Sequence, residues 1–164
     1  MKDGASFAER FEGWFARPIA KLAELPEGDG AFLALSASLF LCERYYRTVT
    51  NTHEGIGGDE AFKVAAANDF GMHGDEFKRF WKVYRHGIQH QGMPKLIIDN
   101  GVTYKWKIDD SYDAVTSIDV IDANNRVIKL NPWKFADLML NKFRSDPAIL
   151  SNATLHAFAE ILSS

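Results

Sequence analysis

The residues with the most chemistry in this 164-residue chain stand close together: Lys78, Lys82, Arg85, His86, Gln89 and His90. Two imidazoles and one guanidinium lie between positions 85 and 90. That set suits phosphoryl transfer on RNA. Imidazole moves protons near neutral pH. Guanidinium grips a phosphate, and the charge that develops on it, with a planar fork of donors. Read as a helix, Lys78, Lys82, Arg85, His86 and Gln89 share one broad face, opposite Phe77, Trp81, Tyr84 and Ile88. Arg85, His90 and His86 are therefore the candidate catalytic set, and Lys78, Lys82 and Gln89 the candidate substrate contacts. A straight helix holds Arg85 and His90 about 140° apart, at ~100° per residue. Either Gly87 loosens the turn, or two chains share the site and each supplies one group. The second option predicts a homodimer.

A metal reading competes with this one. His86 and His90 are spaced i, i+4, as two ligands on one helix face would be. His73 or His53 with a carboxylate would have to complete the set. Spacing places no third ligand, so neither a metal nor any other cofactor is assigned. For His53, His73 and His156, taken singly, a surface or capping role is expected.

The elements that must carry these residues follow from periodicity. Phe7, Phe11, Trp14, Phe15, Ile19 and Leu22 make a helical apolar stripe, which Pro18 should break or kink. Pro26–Gly30 reads as a turn. Ala31 to about Val49 is apolar almost all round and predicts a central helix carrying Glu43. A Gly-containing loop over Asn51–Gly58 precedes a short helix from Asp59 to about Phe70. Phe77, Phe80, Trp81, Tyr84 and Ile88 form the strongest helical ladder in the chain, and its four aromatics are expected in the core. From Leu96 to Leu130 the period becomes that of strands. Asn100-Gly101 predicts a tight hairpin, and Val115–Ile121 and Val127–Leu130 a second pair. On the strand around Tyr104 and Trp106, Lys105 and Lys107 point the other way, a pattern that fits packing on helices better than stacking of bases. Asn131-Pro132 and Asp146-Pro147 each read as a cap followed by proline at a helix start, with the last helix running to about Leu162.

The expected fold is α+β, mainly α. It is one domain over residues 1–164, with helices at 1–92 and 131–164 and a small antiparallel sheet inserted near 96–130. Arg85-His86-Gly87-Ile88-Gln89-His90 resembles the R-x(4–6)-H motif of the HEPN superfamily, whose motif carries a polar residue just after the arginine, as His86 is here. Its setting is similar too: an apolar helix with an acidic residue, Glu43, and then the motif late in an amphipathic helix. The resemblance spans roughly Ala31 to Gln91. It implies an RNA-directed helical bundle, in many members a metal-independent endoribonuclease of defence or toxin–antitoxin type that acts as a dimer. It also implies that Arg85 stabilises the phosphorane, that His90 moves the proton, and that His86 orients the pair. The partners so implied are a second copy, RNA, and an antitoxin or other protein. Other members keep the fold as non-catalytic binding or dimerisation modules, which is the alternative here. The inserted strands depart from the all-helical pattern.

Composition limits the remaining choices. Nineteen Lys+Arg against 22 Asp+Glu give a charge of −3, which excludes a polybasic nucleic-acid binder but allows a local basic face. Cys42 is the only cysteine, so no intrachain disulfide or Cys-rich zinc site forms, and a buried, unreactive thiol is expected. Phosphate-loop, GxGxxG, HExxH and GxSxG patterns are absent. The apolar run Ala31–Cys42 is far short of the ~20 residues a membrane helix needs, and the N-terminus has no apolar signal segment. A cytoplasmic protein without a membrane partner is the expectation.

Overall fold

A computed structural model describes residues 5–52 and 59–151. The first rod is helical throughout residues 7–22, built from α1 (Phe7–Phe11), a π-turn (Glu12–Ala16) and α2 (Arg17–Leu22). Ser6 and Glu9 cap its start reciprocally, at 3.2 and 2.8 Å. Pro18 does not break this rod. It falls at the start of the resumed α-segment, just after the widened turn, where a missing N–H leaves little unsatisfied. Gly30 then lies flat against the end of α2. A Cβ there would meet the Leu22 carbonyl carbon at 2.6 Å and Cα at 2.8 Å.

The central helix α3 (Ala31–Val49) spans the expected residues. It buries Leu35, Leu39, Cys42 and Tyr46 but leaves Leu33, Phe40 and Val49 exposed, so one flank faces outward. α4 (Asp59–Asp69) follows. A second rod covers residues 74–91: α5 (Gly74–Trp81), a π-turn (Lys82–His86) and α6 (Gly87–Gln91), closed by Gly92 at φ 71°. His73 precedes α5, and its N–H donates to Glu76 Oε2 at 2.9 Å, which fits the expected capping role. His53, His156, most of the expected loop Asn51–Gly58 and the C-terminal helix to Leu162 lie outside the described residues. Within them, the Asp146-Pro147 signal starts a 3₁₀ turn, Pro147–Ser151.

The strands are β1 (Ile97–Asp99), β2 (Val102–Ile108), β3 (Thr116–Val120) and β4 (Asn125–Leu130). Asn100 and Gly101 have φ of 51° and 77°, as a type I′ hairpin between β1 and β2 requires. The sheet order is β1-β2-β4-β3. It is mixed, where an antiparallel sheet was expected, because β4 runs parallel to β2 and slots between β2 and β3. The cause is the link from Asp109 to Val115. It is too long for a tight hairpin and is held apart by Asn131. The Asn131 amide donates to the Asp110 and Tyr112 carbonyls at 2.9 and 2.8 Å. Its Oδ1 accepts from the Trp133 and Lys134 N–H groups, capping α7 (Pro132–Ser145). One side chain, 2 % exposed, thus sets both the crossover and the last long helix.

Tyr104, Ile128 and Leu130 are buried on the inner sheet face, while Lys105 and Lys107 on the outer face are exposed. The aromatics of β2 therefore pack on the helices rather than presenting a stacking surface. The helical side of the core is an aromatic chain. Phe70 stacks on Phe77 and Phe135 at 5.7 and 5.6 Å, Phe77 on Trp81 at 5.7 Å, and Phe80 meets Tyr84 at 5.2 Å. Each such pair adds roughly 0.5–1.5 kcal/mol beyond its buried area. The whole expected ladder Phe77–Phe80–Trp81–Tyr84 is buried, and Cys42 is fully enclosed. Burial pushes the Cys42 thiol well above its ordinary range, with the Glu43 charge adding to it.

Candidate functional site

The π-turn at Lys82–His86 decides what the second rod presents. A π-turn holds one more residue than an α-turn, so residues beyond it lag by ~100° behind an uninterrupted helix. Two neighbours make this turn stable. The Val83 carbonyl accepts from the Lys95 N–H at 2.9 Å. Gly87 lets the returning chain pass: a Cβ there would sit 2.6 Å from Lys95 N and 2.7 Å from Met93 O. Pro94 then stands buried beside the rod.

One consequence is that Arg85, His86, Gln89 and His90 line a single cavity of about 130 Å³ together with Glu43, Arg47 and Trp81. A single chain therefore brings Arg85 and His90 to one place, and the geometric need for two chains falls away. The other consequence is that the expected basic face splits. Lys78 and Lys82 line a separate cavity with Asp75, Arg79 and Asp99. Lys78 is paired with Glu60 at 2.7 Å. Neither lysine joins Arg85, because the widened turn rotates the later residues away from them.

Glu43 organises the cavity. Its Oε1 accepts from Arg47 Nε at 2.9 Å, and its Oε2 from Arg85 Nε at 3.0 Å and Nη2 at 2.8 Å. Arg85 Nη1 donates to Gln89 Oε1. The Arg85 guanidinium also stacks on Phe40, 4.8 Å from the ring centroid, as Arg47 does on Phe62 at 4.4 Å. Both arginines are buried, at 8 % and 5 % exposure. Arginine has five N–H donors, and the contacts of Arg85 use three of them. Its other two N–H groups have no hydrogen-bond partner among the described residues. Two guanidiniums and two imidazoles line the cavity beside one carboxylate, a donor-rich set that suits an anion.

The His86 and His90 rings stand edge to face, 6.1 Å apart. His90 is exposed, and among the described residues its ring makes no hydrogen bond or ion pair. His86 is half-buried. Burial holds its imidazole below the ordinary histidine range, and the charges of Lys95, Lys63, His90 and Arg85 act in the same direction. No group of three metal-binding side chains occurs among the described residues. Sequence reasoning named Arg85, His86, Gln89 and His90 and noted Glu43. It missed Arg47, which reads in the sequence only as Glu43 plus four.

The His86 shift has a consequence for stability. A histidine whose folded pKa is depressed stabilises the fold while neutral. That contribution is present above the unfolded value of roughly 6.5. It is lost as pH falls from there through the folded pKa, since the unfolded chain takes up a proton that the folded one resists. Urea midpoints should therefore drop from pH 7 to pH 5, and less so in His86→Gln. An equal drop in both proteins would show that His86 is not the group responsible.

Compared with protein-family models, curated proteins and solved structures, the chain matches none. No helix among the described residues is long and apolar enough to cross a membrane.

Proposed function

We propose that this chain is an RNA-directed, HEPN-like protein that cleaves RNA without a metal, using Arg85 and His90. The observation that supports this reading is the shared cavity: a buried guanidinium with two imidazoles and a second guanidinium beside it in one lining. A backbone phosphate would take the remaining Arg85 N–H groups. The Glu43 and Gln89 contacts hold the guanidinium plane in place before substrate arrives, so little ordering is left to do on binding. His90 then exchanges a proton with the reacting ribose or leaving oxygen, and a 2′,3′-cyclic phosphate is the product.

The test is incubation of RNA with wild type, His90→Ala and Arg85→Lys, with and without EDTA, scored for cyclic-phosphate ends. His90→Ala should lose ~10²–10⁴ in rate, as removal of a proton-transfer group does. Arg85→Lys should fail nearly as badly, because lysine keeps the charge but not the fork. Wild-type cleavage should survive EDTA. Cleavage that persists in His90→Ala, or that requires a divalent ion, rejects the mechanism.

One observation favours a second reading. Arg85 is anchored inside the chain by Glu43 and Gln89, as a purely structural arginine would be. On that reading the protein is a non-catalytic binding or dimerisation module. Wild type would then bind RNA or a protein partner and cleave nothing.

A further inference from the structure

Resting on the ribonuclease reading, we propose that His86 and His90 of one chain form a complete acid–base pair, His86 as the general base and His90 as the general acid. In-line attack on a phosphodiester needs two proton-transfer groups, one at each end of the line through phosphorus. The attacking 2′-hydroxyl and the leaving 5′-oxygen lie on opposite sides of the phosphorus. Two rings 6.1 Å apart on one cavity wall, with the Arg85 guanidinium in the same cavity, put one imidazole within reach of each end of a phosphodiester lying across them.

The step balances as follows. His86 accepts the 2′-hydroxyl proton as the O2′–P bond forms. The P–O5′ bond breaks, and O5′ leaves with a proton from His90. The two imidazoles finish with exchanged protonation and reset through solvent.

The assignment of roles comes from the surroundings. His86 is the more buried ring, and Lys95, Lys63, Arg85 and His90 all bear on it with like charge. Glu43 and Arg47 are the other charged residues of the cavity lining, and Glu43 is already held by both arginines. Burial and these charges keep His86 neutral, ready to take a proton. His90 is exposed to solvent, from which it can be reprotonated.

The experiment uses the full chain and a mixed-sequence single-stranded RNA. The same RNA is also prepared with a 5′-bridging phosphorothiolate at its mapped cleavage site, since a thiolate leaves without an acid. On ordinary RNA, His86→Ala and His86→Gln should each lose ~10²-fold or more, as His90→Ala does. On the phosphorothiolate, His90→Ala should recover toward wild type and the His86 variants should not. Mixing His86→Ala with His90→Ala protein should restore nothing, because each chain needs both rings. Circular dichroism checks that the variants fold, and His86→Gln keeps the test open if the alanine variant does not. Wild-type rates with His86→Gln, rescue of the His86 variants instead of His90→Ala, or cleavage restored by mixing each overturn the proposal while leaving Arg85 and His90 chemistry standing. A wild type that cleaves no RNA overturns the underlying reading and this one with it.

Discussion

Replacing Glu43 with alanine should cost about 3–5 kcal/mol of stability, the range for breaking a buried ion pair from one side. The carboxylate is shared by Arg47 and Arg85, whose side chains are 7 % and 10 % exposed. Without it, Arg85 loses the carboxylate that takes two of its N–H groups, and Arg47 loses the acceptor of its Nε–H. Glu43→Gln should cost less than alanine, because one carbonyl oxygen still accepts, but it turns an amide donor toward the other guanidinium. A triple variant, Glu43→Leu with Arg47→Met and Arg85→Leu, should recover most of the loss, since well-packed apolar groups often replace a buried ion cluster at little cost. Urea denaturation of the three proteins decides the matter. A Glu43→Ala loss under about 1 kcal/mol would place the pair with solvated surface ion pairs, and the guanidiniums could then not be held rigidly by it.

Much of this arrangement was legible in the residue order. Helical and strand periods located α3, α4, the second rod and all four strands. Asn100-Gly101 and Asn131-Pro132 named a turn and a cap, because each states a local backbone demand. The parts that were not legible depend on contacts far apart in sequence. The parallel pairing of β2 and β4 is set by Asn131 reaching the Asp110 and Tyr112 carbonyls, and nothing in the local pattern says which strand fills the gap. The π-turn at Lys82–His86 is the more instructive case. A 3.6-residue period put Lys78, Lys82 and Arg85 on one face and set Arg85 and His90 apart. One additional residue in a turn reverses both results. Its cause is Lys95 bonding to Val83 and the close passage at Gly87, neither of which belongs to the helix itself. Glycine acts at position 87 by admitting the returning segment at Met93–Lys95 rather than by loosening the helix.

Tyr84 connects that turn to the sheet, and its loss should be as costly as that of Glu43. The ring is fully buried in the middle of the π-turn and packs on Phe80. Its hydroxyl sits between the Ile128 carbonyl at 2.7 Å and the Lys107 carbonyl at 3.0 Å, on the two strands that pair in parallel. Burial raises the phenol above its ordinary range, so it remains a donor throughout the working pH interval. Tyr84→Phe keeps the packing and removes the donor, for an expected loss of about 1–3 kcal/mol. Tyr84→Ala adds a cavity where a large ring stood, and should lose about 3–5 kcal/mol. The two variants separate two roles. If Tyr84→Phe is the milder in urea yet cleaves RNA as poorly as the alanine variant, the hydroxyl positions the turn that carries Arg85 and His86. If cleavage instead tracks stability in both, the ring is core and the turn holds its shape through Gly87 and Lys95 alone. The first outcome is expected. Of the contacts found for Tyr84, the hydroxyl bonds are the ones that reach β2 and β4, and the β2–β4 pairing lies directly under the widened turn.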